Sequence, residues 1–175
     1  MVMKQIKRIC ITFVLFTICI AVNARSGLQL KSGSASFLRQ NETAVIELDW
    51  SKATWEKYTP IKEYCENEYE KRLNLSGIGF VRGFNQNSKG LIITSGEGAK
   101  YKIVVHIEDF FQKSGGGWGR SYIILFGVIE VFDISSGNSV ATVIIKGSSG
   151  DADFVQNDRF AKSFEQLGKM LAKMK

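Results

Sequence analysis

Apolar and polar positions alternate most regularly between Tyr101 and Gly147, in three runs separated by turn residues. In the first run Tyr101, Ile103, Val105 and Ile107 share one side, and Lys102, Val104, His106 and Glu108 the other. A period of two is the signature of a strand buried on one face. The second run, Tyr122 to Phe132, is apolar on both sides: Ile123, Leu125, Ile129 and Val131 on one, Tyr122, Ile124, Phe126, Val128 and Phe132 on the other. Such a strand is either covered twice or presents a patch to a partner. The third run sets Ala141, Val143 and Ile145 against Thr142, Ile144 and Lys146. Short connections, Gly115 to Gly119 and Ser135 to Asn138, predict an antiparallel meander.

Upstream, Arg25 to Ser36 reads as a mobile lead-in with a first short strand around Leu28 and Leu30. Ala44, Ile46 and Leu48 alternate with Val45, Glu47 and Asp49, which predicts a strand over 43–48. Thr59-Pro60 reads as a helix start, with threonine as cap and proline at the first helical position. Ile61, Cys65, Tyr69 and Leu73 then form a stripe at helical spacing, ending near Asn74 and Gly77. Gly79 to Phe84 and Leu91 to Thr94 read as two short strands. A closing helix over 158–174 buries Phe160, Phe164, Leu167, Leu171 and Met174, and Glu165 stands four residues before Lys169, the favourable order for an ion pair. The expected fold class is α+β: a mixed, largely antiparallel sheet with two amphipathic helices packed on one face. Residues 25–42 form the lead-in and 43–175 a single α/β sandwich domain.

The first two dozen residues stand outside that fold. Lys4, Lys7 and Arg8 precede the apolar run Ile9 to Ile20, and Val22-Asn23-Ala24 offers a cleavage site, so 1–24 reads as a secretory signal peptide. The run is too short for a membrane-spanning helix, and membrane contact is expected only through this segment before cleavage. Lipidation at Cys19 is disfavoured by bulky Ile18 at the preceding position. With the leader gone, the formal charge of +6 falls to +3, and the only basic clustering is on the last helix; a nucleic-acid partner is not expected. Cys10 and Cys19 leave too, so Cys65 has no disulfide partner within the mature chain.

Residues that carry chemistry elsewhere are sparse here. His106 is the only histidine, and with Glu108 two positions on it reads as a solvated or edge residue rather than a base or metal ligand. Asp151, Asp153 and Asp158 do not make a calcium loop, because the twelfth position from Asp151 is Lys162 rather than a glutamate. The glycine-rich segment around Trp118 lacks the lysine and hydroxyl of a phosphate loop. Trp118 at a hairpin tip is a candidate ligand contact. Cys65 reads as a small buried hydrophobe. No catalytic, metal or cofactor site is expected, and the chain reads as a non-enzyme. The candidate partner surface is Tyr122, Ile124, Phe126 and Val128, meeting another protein or a second copy. The alternatives are a small or lipidic ligand between sheet and helices, with Trp118 and Tyr122 at its mouth, or a hydrolase built on His106.

Phe84-Asn85, Ser88-Lys89-Gly90-Leu91, Ala99 to Val105, and Gly127 to Asp133 followed by Ser136-Gly137 form a pattern similar to that of small exported envelope proteins of unknown function from anaerobic Gram-negative bacteria. Those proteins resemble the α/β domain at the amino terminus of the Tol-Pal system's propeller protein and related envelope-assembly domains. The resemblance implies a twisted mixed sheet with helices on one side, located in the periplasm or outer envelope. It carries no site residues, because fold does not fix function.

Overall fold

The structure, a computed structural model, describes residues 27–114, 121–149 and 156–175. The signal segment, Trp118 and the Asp151–Asp153 pair lie outside them. Three long strands form the centre: β6 (Tyr101–Ser114), β7 (Ser121–Asp133) and β8 (Ser139–Ser149), each antiparallel to the next. β1 (Gly27–Gly33) adds antiparallel to β8. On the other side β2 (Thr43–Asp49) runs parallel to β6, and β5 (Ile92–Ile93) parallel to β2. The path is β1-β8-β7-β6-β2-β5; a small hairpin, β3 (Thr54–Trp55) and β4 (Thr59–Pro60), continues the β2 side of β6. The fold is therefore α+β, with a mixed, largely antiparallel sheet.

The lead-in belongs to this sheet. Leu28 and Leu30 pack against the core, and a 3-10 turn over Ala35–Arg39 buries Phe37 and Leu38. Alternation in a segment this polar suffices because β8 supplies the backbone partners.

The first helical stretch departs from expectation. Thr59 makes no cap: Pro60 holds that position, without a side-chain hydrogen bond, and α1 spans only Ile61–Cys65. Glu66, with φ of 48°, breaks the helix, and after a 3-10 turn α2 runs over Tyr69–Asn85. Neither Asn74 nor Gly77 ends it. The segment Gly79 to Phe84, expected as a strand, is its last turn and a half.

The glycines explain the difference. A Cβ on Gly79 would collide with the carbonyl oxygen of Ala161, one on Gly83 with that of Glu165, and one on Gly168 with that of Phe80. They lie where α2 meets α3 (Gln156–Ala172), and the two helices touch backbone to backbone. Glycine there is a packing surface rather than a breaker. Phe80, Phe84, Phe160, Phe164, Leu167 and Leu171 fill the layer between these helices and the sheet. Trp50, just past β2, anchors its far end, its ring 4.9 Å from that of Phe110 and 5.5 Å from that of Phe164. Both long helices lie on this one face, so among the described residues the opposite face of the sheet has no helix over it.

Candidate functional site

The uncovered face divides into a charged half and an apolar half. In the charged half, strand register brings Asp49 of β2 opposite His106 of β6. The ring nitrogen Nδ1 lies 2.8 Å from Asp49 Oδ2, and Nε2 3.3 Å from Glu130 Oε2 on β7. Both nitrogens face carboxylates, so the ring bridges β2 and β7. Asp49 is held down to about 2 by hydrogen bonds from the Ser51 side chain and backbone, with His106 adding to them. Lys102 pairs with Glu47 alongside, and Val104 is buried on the same face.

This array has a carboxylate–histidine pair of the kind that hydrolases use. Among the described residues no serine, threonine or cysteine meets either ring nitrogen, and no cluster suits a metal ion. His106 is more than a solvated edge residue: it ties β2, β6 and β7 together. Cys65 lies elsewhere, buried in α1; burial pushes its thiol up, opposed by a hydrogen bond from Arg72, whose Nη1 is 3.4 Å away.

In the apolar half, Tyr122, Ile124 and Val128 are half-buried on this face and Phe126 is 37% exposed. Ile124 and Phe126 join Phe111 as the floor of a cavity of about 600 Å³, rimmed by Lys57, Glu108 and Lys113. Phe111 meets Phe126 edge to face, ring centroids 5.6 Å apart, and the Lys57 ammonium stands 5.6 Å from the centre of the Phe111 ring. Trp118 lies outside the described residues, as does any contact it makes.

Two of these residues, Phe111 and Lys57, escape a sequence reading. Strict alternation from Tyr101 turns Phe111 inward, toward the helices. The register shifts between Ile107 and Asp109, and this bulge reverses the phase: Phe110 is buried in the core and Phe111 opposes Ile124 on the open face. Gly127 marks the spot, since a Cβ there would strike the His106 carbonyl. A lone glycine within an apolar strand was the available signal.

Lys57 arrives through a strained turn. Glu56 and Lys57 have φ of 54° and 68°, and Tyr58 N–H donates to the Trp55 carbonyl at 3.2 Å, the geometry that ordinarily selects Asn-Gly. Asp109 holds it. Its Oδ1 accepts from Thr54 Oγ1 at 2.8 Å, from Lys57 N–H at 3.0 Å and from Phe110 N–H at 3.0 Å. The other oxygen, Oδ2, is buried without a partner among the described residues. Such strain concentrates at ligand-contacting turns.

A second concavity, of about 630 Å³, lies between β2 and α2, lined by Ile46, Leu48, Leu73, Ile78 and Val81. This cleft opens between sheet and helix, and Tyr122 does not line it.

No family model matches the chain, and no curated protein matches it. Among solved structures it is similar to a PelC dodecamer from Paraburkholderia phytofirmans, with 14% identity over 83% of this chain and 96% of that one and a TM-score of 0.47. A substituted form of that PelC dodecamer gives 16% identity over 85% and 98%, with a TM-score of 0.41. Protein XCC0632 from Xanthomonas campestris, of the DUF330 family model, gives 10% identity over 80% and 84%, with a TM-score of 0.36. Likenesses this distant carry no role or site across to this chain.

Proposed function

We infer that this chain is a non-enzymatic accessory domain of the bacterial envelope that binds another protein through its uncovered sheet face. Phe126, Ile124 and Phe111 are the centre of the contact, with Tyr122 and Val128 beside them. One observation carries the reading: both long helices cover the same face, leaving Phe126 37% exposed over an apolar floor flanked by charge. Interfaces are built this way, with aromatic anchors inside a polar rim. The leader pattern in the first two dozen residues supports an exported location. Substituting Phe126→Ser with Val128→Ser should abolish partner capture in a crosslinking pulldown while the far-ultraviolet dichroism stays unchanged. Undiminished capture by the folded double variant overturns the reading.

A second reading rests on the rim. Lys57 and Lys113 stand over an apolar floor, a combination that suits an amphiphile with an anionic head. Native mass spectrometry of protein from its own host should then show a copurifying mass that Lys57→Glu removes. A bare protein mass counts against it.

A further inference from the structure

The two outer edges of the sheet complement one another. At the β2 edge, Ile92 N–H donates to the Glu42 carbonyl and Thr94 N–H to the Ala44 carbonyl, at 3.1 and 2.8 Å. Even-numbered residues of β2 therefore turn their backbone groups outward, and the odd-numbered ones bond to β6, alternating as strands require. β5 pairs only Thr43 and Ala44. Beyond it, the N–H and C=O of Ile46 and Leu48 face a position with no strand among the described residues. Below that position lies the groove walled by Leu73, Ile78 and Val81 of α2, with Ile78 48% exposed.

At the opposite edge, Ser34 N–H donates to the Val140 carbonyl, so even residues of β8 bond to β1. By register these are Ile144 opposite Gln29 and Lys146 opposite Gly27, which leaves the backbone groups of Leu28 and Leu30 facing outward. The shift between Leu30 and Ser32 limits the regular stretch to Gly27–Leu30, about the length left free on β2.

We propose that β1 of one copy adds to the free edge of β2 of a second copy, extending one sheet across both. Direction and side agree. β1 runs antiparallel to β2 through the chain of pairings β1-β8-β7-β6-β2, so a neighbour with its helices on the same side presents β1 antiparallel to β2. Leu28 then stands opposite Leu48, Gln29 opposite Glu47 and Leu30 opposite Ile46. In that register the outward-bonding residues meet each other, the leucines close the groove against α2, and Lys31 comes diagonal to the exposed Glu47. Unpaired edges with an apolar wall are templates for such addition. Two different edges are used, so the contact is head-to-tail and builds a ring or a filament.

The test separates this edge from the Phe126 face. In sedimentation of the purified protein the expected mass is a multiple of one chain. Leu48→Pro removes an N–H that faces the edge and not the ladder to β6, so it should return the mass to one chain with dichroism unchanged. Should that variant fail to fold, Gln29→Cys and Glu47→Cys proteins mixed under oxidation should crosslink one to one, and neither should crosslink alone. A single-chain mass at the highest concentration, an uncrosslinked mixture, or Glu47→Cys crosslinking to itself overturns the proposal.

Discussion

Gly83 of α2 sits against the backbone carbonyl of Glu165 in α3 so closely that no side chain fits between them. A Cβ at that point displaces backbone, which a flexible side chain cannot absorb. Gly83→Ala should therefore cost about 3 kcal/mol despite the better helix propensity of alanine. Gly77, in the same helix, is the control: its Cβ would lie 3.8 Å from Leu48 Cδ1, an ordinary contact. Gly77→Ala should stabilise by about 0.5–1 kcal/mol. Urea titration of both variants checks the opposite signs.

Asp109 accepts hydrogen bonds from Thr54, Lys57 and Phe110 while only 8% exposed. Asp109→Ala orphans these donors and releases the strained Glu56–Lys57 turn, at a cost of about 3 kcal/mol. Hydrogen exchange should show the Lys57 amide losing protection first, ahead of the β6–β7 ladder.

Acid should weaken the β2–β6 junction in a defined window. The folded-state value of Asp49, about 2, lies below its ordinary 3.8, so between these values the unfolded chain binds more protons. Its stabilisation is present above about pH 4 and lost as pH falls through about 2. Asp49→Asn should flatten the pH dependence of the urea midpoint in that window. An unchanged slope would show that Ser51 and His106 do not hold the carboxylate in solution.

Cys65 is 2% exposed, and its thiol is pushed up by burial. Both effects suppress the thiolate, the reactive form. In native buffer a thiol reagent should label it at least about 100-fold more slowly than in urea, at a rate that follows unfolding. Arg72→Met should not accelerate native labelling, since it removes the hydrogen bond, at 3.4 Å, that opposes the upward push on the thiol.

Period-two alternation by itself determined β6, β7, β8 and the buried side of β2, and helical spacing determined α3. These patterns record which side of one element is wet, and each element writes its own. By the same route Tyr122, Ile124, Phe126 and Val128 were legible as an apolar second face. Tertiary structure alone decided what depends on a second element. The run Gly79 to Phe84 reads as a strand until the α3 backbone is set against Gly79 and Gly83, and Phe111 faces the core until the bulge opposite Gly127 reverses its phase. Lys57 reaches the cavity only because Asp109, 52 residues later, fixes its turn. His106 meets Asp49 and Glu130 only once β2 lies parallel to β6 and β7 antiparallel to it. Register and close approach are properties of pairs of segments, and a local pattern carries no record of the partner.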